Sequence, residues 1–213
     1  MADPTGVARL VAPTDRYGHD VLGGIPRWSA LELGDLRADL PETLVFEDVA
    51  PRLWDVDGDG RPEVVVVEAH VARGARLAVW DVAGGRLRRV AATPFIGQAN
   101  RWLAPSGIAD FDGDGRIEIA YVDRPHLARE LVFVRLAGDR LEEVARAPGL
   151  TNHRIGDTFI AGGLRDCGAG PEVVLATPDW TRARIVRLGP GGITPGDGGA
   201  VAGPAGLDAL RRC

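Results

Sequence analysis

The stretch Asp55-Val56-Asp57-Gly58-Asp59-Gly60-Arg61-Pro62-Glu63, running into Val64-Val65-Val66-Val67, decides how this chain is read. It recurs as Asp110-Phe111-Asp112-Gly113-Asp114-Gly115-Arg116-Ile117-Glu118, running into Ile119-Ala120-Tyr121-Val122. A worn third copy reads Asp166-Cys167-Gly168-Ala169-Gly170-Pro171-Glu172 and runs into Val173-Val174-Leu175. The similarity continues past each loop. His70 to Arg73 precedes the apolar run Leu77 to Trp80, His126 to Arg129 precedes Leu131 to Val134, and Trp180 to Arg184 precedes Ile185 to Leu188. Alternating stretches follow at Arg86 to Val90 and Arg140 to Val144.

Each unit therefore reads as four short strands, a to d, with the Asp/Gly loop between a and b. A period of about 55 residues with Gly/Asp turns and β-branched strands is the pattern of a four-stranded sheet repeated in series. One such sheet cannot bury both faces alone, so neighbouring units stack. The expected fold is all-β, a β-propeller-like array of about four four-stranded blades, two with intact loops. It divides as one domain over residues 1–190 (a divergent blade at 1–48, repeats at about 49–102, 103–154 and 155–190) and a Gly-rich tail at 191–213. Strand-like pieces of the divergent blade lie around Tyr17 to Leu22, Ser29 to Leu33 and Thr43 to Phe46. From Gly189 to Gly206 the composition reads as a loop or frayed end, with a helical turn at Leu207 to Arg212. Four units either close as a small propeller or form part of a larger one.

Composition agrees with a folded, turn-rich chain: 45% hydrophobic residues, 29 glycines and 15 prolines. The net charge of -5 argues against a phosphate-tracking surface and hence against nucleic acid as a partner. No apolar run reaches membrane-spanning length, and Met1 to Leu10 lacks the pattern of a signal peptide. Cys167 and Cys213 are compatible with one disulfide tying the tail to the third repeat.

Carboxylates at positions 1, 3 and 5, with another further on, make an oxygen-only ligand set for a hard cation. Interleaved glycines supply the backbone angles that turn alternate side chains toward one centre. In an EF-hand the last glutamate falls at position 12, on a helix. Here it falls at position 9 and a strand follows, so the arrangement is strand-loop-strand. The first ion is assigned to Asp55, Asp57, Asp59 and Glu63 with the carbonyl of Arg61. The second is assigned to Asp110, Asp112, Asp114 and Glu118 with the carbonyl of Arg116. Two calcium ions are expected, and no tight site in the third loop. Magnesium fits less well because it demands a stricter octahedron.

These DxDGDGxxE loops with their apolar strands resemble the FG-GAP/VCBS repeats, the class found in the integrin alpha-subunit propeller and in many bacterial exported proteins. The resemblance covers about residues 40 to 190. It implies a β-propeller with calcium in the a–b loops, a location outside the cytoplasm (periplasmic or extracellular), and an adhesive or ligand-binding role.

In an antiparallel sheet the b–c and d–a turns share the end opposite the a–b loops. Those turns carry His70, Arg73, Arg101, Trp102, His126, Arg129, His153, Arg154 and Trp180. One reading makes them a site for an anionic or carbohydrate-like ligand, with arginine forks and a stacking tryptophan. The other makes them repeat-register residues that bond neighbouring blades. Trp54 and Trp80 read as core. The leading functional reading is a calcium-stabilised binding or structural module, not an enzyme, with a protein or carbohydrate/anionic partner. The alternative is a propeller-borne glycosidase or polysaccharide lyase drawing on Asp20, Glu68, Asp123, Glu130, Asp157 or Asp179, none of which forms a catalytic motif.

Overall fold

The computed structural model describes residues 6–213 and is all-β, with one short helix among the described residues. The chain forms two compact units, Met1–Trp102 with Ala137–Leu141, and Leu103–Leu136 with Glu142–Cys213.

In the first unit, β1 (Ala8–Thr14), β2 (Arg27–Leu33) and β3 (Leu36–Asp39) form an antiparallel ladder, with Leu33 opposite Leu36 at the Gly34-Asp35 turn. The same sheet continues from β2 into a divided strand. β4 (Leu44–Phe46) and β5 (Arg52–Trp54) both pair with β6 (Glu63–His70), Phe46 lying opposite Glu68 and Trp54 opposite Glu63. Between them the buried Asp48 carboxylate accepts the Val67 N–H at 2.8 Å, replacing the ladder partner that the interruption removes. β7 (Gly74–Ala83) and β8 (Arg86–Ala92) continue this sheet. Val64 to Val67 have no exposed surface, because β6 is covered on both faces; this is why it reads as a continuous apolar run. β8 is the solvent-facing strand and alternates.

In the second unit, apart from the turn residues Ala137–Leu141, β9 (Leu103–Ala109), β10 (Glu118–Asp123), β11 (Glu130–Ala137) and β12 (Arg140–Pro148) follow in order. β13 (Gly163–Asp166), β14 (Pro171–Ala176), β15 (Arg182–Gly189) and β16 (Gly192–Ala200) form a separate four-stranded sheet. Phe111, Val122, Phe133, Val173, Leu175 and Val186 share one hydrophobic cluster, so these two sheets bury their faces together. Gly107 on β9 lies so close to β13 that a Cβ there would stand 2.7 Å from the Leu164 Cβ. Helix α1 (Pro204–Leu210) plants Leu207 beside Val174 and Ala183.

Three sequence expectations need correction. Tyr17 to Leu22 is not a strand; its Tyr17 hydroxyl instead accepts the Asn100 N–H at 2.8 Å, and Gly18, Gly23 and Gly24 break any ladder. Leu44–Phe46, by contrast, is the strand expected there, paired with β2 through Trp28 and with β6. Gly192–Ala200 is a strand and not part of a loose tail. Backbone ladders need no side chains, and Gly198 permits an approach at which a Cβ would stand 2.8 Å from that of Ala183. The helix begins before Leu207, at Pro204, a residue suited to a first helical turn.

Candidate metal centres

The two intact loops fold alike. Gly58 and Gly60 have φ of 77° and 85°, and Gly113 and Gly115 have φ of 76° and 84°. That left-handed geometry is what glycine permits, and it curls the chain around the first aspartate. The Asp55 carboxylate accepts the N–H groups of Gly58 and Gly60 at 2.8 and 3.0 Å, and Asp110 accepts those of Gly113 and Gly115 at 2.8 and 2.9 Å. Asp57 and Asp112 accept the amides of Asp59 and Asp114 in turn.

The glutamates start the next strand and reach back. Glu63 accepts the Val56 N–H at 2.7 Å, and Glu118 accepts the Phe111 N–H at 2.9 Å. Val56 and Phe111 are themselves buried, which ties each loop to the core. The result is two triads, Asp55/Asp57/Glu63 and Asp110/Asp112/Glu118, in each of which one carboxylate oxygen per residue lies within 4.8 Å of the others.

Asp59 and Asp114 stand apart from these triads. The Asp59 carboxylate is taken by the Arg61 guanidinium at 2.6 Å and by the Arg61 N–H at 2.8 Å. Asp114 accepts the Arg116 N–H at 2.9 Å and pairs with Arg135 at 3.0 Å. Both acids are held below the usual carboxylate range, Asp59 by the Arg61 side chain and Asp114 chiefly by the Arg116 amide. Glu63 goes the other way. Burial pushes its carboxyl up to about 7, with the charges of Asp57, Asp81 and Asp55 adding to that. Glu118 is also raised by burial, but the Arg135 guanidinium opposes the shift. Oxygen-only donors crowded at a partly buried site fit calcium, which takes such ligands in flexible geometry. Without a cation, like charges at this separation repel.

The third loop keeps the backbone and loses the acids. Gly168 and Gly170 have φ of 87° and 91°, yet only Asp166 and Glu172 remain. Glu172 is bound by Arg165 at 2.8 Å and by Arg187, and Cys167 forms a disulfide with Cys213.

Residues 55–121 match the FG-GAP-like repeat. That stretch carries the FG-GAP-like repeat. A comparison with curated proteins finds no significant match. Within the FG-GAP-like stretch lie both intact loops and the sheet strands that follow them.

On the turns away from these loops, the residues grouped by sequence are engaged with the fold. Trp102 is 2% exposed and its indole N–H donates to the Glu47 carbonyl at 2.7 Å, so its ring is core and offers no open stacking plane. His153 is buried and its Nδ1 lies 2.9 Å from Nε2 of His126. His70 accepts the Ala72 N–H, and Arg73 and Arg76 both stack on Phe95 at 4.3 Å. Arg154 covers Trp180 at 4.4 Å. Arg101 donates to the Asn100 carbonyl, while the Arg129 backbone, at φ 56°, closes its own turn. Of the acids weighed for catalysis, Glu68 is fully buried against Arg76, Arg89 and the Trp80 indole, and Asp123 is paired to Arg124 and Arg146.

Sequence reasoning missed the residues facing the glutamates from the next strand. Arg135 lies opposite Glu118 in the β10–β11 register. Asp81 comes one step beyond the Val64–Trp80 pair, at the Glu63 end of that ladder. Those partners become readable once each b–c hairpin is centred on its turn. Also missed was Glu47, buried, with one oxygen 2.7 Å from His19 Nδ1.

Proposed function

We propose that this chain is a calcium-stapled, β-propeller-type binding or structural module that works outside the cytoplasm and is not a catalyst. The observation that carries this reading is the pair of Asp/Asp/Glu triads, built on FG-GAP-like loops of the same backbone shape and each anchored by a buried glutamate. An ion among uncompensated acids offsets their repulsion and locks the a–b turn, and so secures the two strands that the turn joins. Calcium is the cation of choice because the donors are all oxygen and the loop is irregular. The Cys167–Cys213 disulfide favours an oxidising compartment. No helix among the described residues is long and apolar enough to cross a membrane. A protein or an anionic or carbohydrate partner would meet the arginine-bearing turns, where Arg73 and Arg154 are exposed.

Trp54 immediately precedes Asp55 and can sensitise a bound lanthanide. Terbium titration with tryptophan excitation should give luminescence that calcium displaces and that Asp57→Ala abolishes. Wild-type protein that gives none would refute a cation site in this loop.

A further inference from the structure

The three loops differ at one position that no loop residue reveals. Arg135 is the register partner of the loop glutamate in the second loop, Arg187 pairs with the loop glutamate Glu172 in the third, and in the first the corresponding position, next after the Val64 partner Trp80, is Asp81. Asp81 thus lies at the Glu63 end of the β6–β7 ladder. Arg135 brings the opposite charge. Its guanidinium spans Asp112 at 3.1 Å, Asp114 at 3.0 Å and the buried Glu118. Among the described residues, no ion pair reaches Asp55, Asp57 or Glu63; Arg61 spends itself on Asp59. The acid–arginine balance therefore steps from five carboxylates against Arg61, to four against Arg116 and Arg135, to Asp166 and Glu172 against Arg165 and Arg187.

We propose that Arg135 is a built-in cation for the second loop, so that only the Asp55 loop depends on a bound calcium ion. This rests on the reading of the Asp loops as calcium sites. A calcium ion needs carboxylate oxygens at about 2.3–2.6 Å. Two of the three second-loop triad oxygen sets, those of Asp112 and Glu118, already accept the Arg135 guanidinium, and a second cation at the same oxygens meets its charge. Calcium can enter there only by displacing Arg135 and giving up three charge-assisted bonds. The first loop has no such competitor and has Asp81 as an extra acid. The third loop completes the series: two arginines hold Glu172, and a disulfide rooted in the loop holds its end.

Calcium titration by isothermal calorimetry on the full chain tests this with wild type, Arg135→Ser and Asp81→Arg. Wild type should take up one tight equivalent. R135S should gain a second, because the loop is then an uncompensated triad. D81R, which places a guanidinium at the Glu63 end of the β6–β7 ladder, should weaken the wild-type event by at least about tenfold. Should R135S melt early with chelator, recovery of its circular-dichroism transition on adding calcium would give the same answer. Two equal equivalents in wild type, unchanged in R135S, would overturn the assignment while leaving the calcium reading intact. An unweakened event in D81R would also overturn it. No uptake by wild type or R135S would reject the calcium reading itself, and this assignment with it.

Discussion

Glu63 and Val56 are joined by a 2.7 Å hydrogen bond from the Val56 amide to the Glu63 carboxylate, across the mouth of the first loop. The bond ties the strand that leaves the loop to the residue that enters it, and Glu118 with Phe111 repeats it at 2.9 Å. Glu63→Gln keeps an acceptor for that amide and removes one ligand charge. It should retain most stability in chelator and lose most of the calcium-induced rise in melting midpoint, as followed by circular dichroism.

Glu68 shows what a structural acid looks like in the same sheet. It is fully buried and accepts from Arg76, Arg89 and the Trp80 indole, at 2.9 Å for the last. Glu68→Ala leaves the half-buried Arg76 and the Trp80 indole N–H without their partner and should cost about 3 kcal/mol by chemical denaturation. Calcium should not restore the loss, which separates this variant from those in the metal loops.

The disulfide can be tested without mutating the core. Cys167 and Cys213 are 46 residues apart, and chain-entropy reasoning gives roughly 4 kcal/mol for closing such a loop. Cys167→Ser with Cys213→Ser, or mild reduction, should lower the denaturation midpoint by a corresponding amount. The fraying should begin at α1 and β16, which hydrogen exchange would report.

Acid should weaken the second unit through His153. Burial lowers its pKa below the ordinary 6.5. The unfolded chain therefore takes up a proton at a higher pH than the folded one does. Stability is full above about 6.5 and is lost as pH falls through the folded value. His126 and the Asp157 carbonyl face the ring. His153→Gln should flatten the fall in melting midpoint between pH 6.5 and pH 5, whereas an unchanged slope would assign the fall to other groups.

Much of this fold was legible because strands b and c write themselves as apolar runs after an Asp/Gly loop. The runs Val64 to Val67 and Ile119 to Val122 fall on β6 and β10. Backbone-driven pairing was not legible. β16 is rich in glycine and its ladder draws on no side-chain pattern, while the split of β4 from β5 depends on Asp48 standing in for a strand. At the site, the spacing of Asp55, Asp57 and Glu63 carried the triad, since alternate residues of a curled loop converge. The same spacing did not carry the fate of Asp59, whose carboxylate is captured by Arg61 two residues on. Nor did it carry Arg135, which reaches Glu118 through strand register and not through the motif. Trp102 misled because a tryptophan at a turn reads as exposed, whereas its indole here is buried on the Glu47 carbonyl.

The most direct measurement is thermal unfolding of wild type and Asp57→Ala, each in calcium and in chelator. A ligand at 100 times its dissociation constant stabilises the folded state by about 2.7 kcal/mol, which displaces the midpoint visibly. The calcium-stapled reading predicts a higher midpoint in calcium for wild type and no such rise for D57A. Equal midpoints for wild type in calcium and in chelator would contradict it and leave the Asp/Gly loops as turns alone.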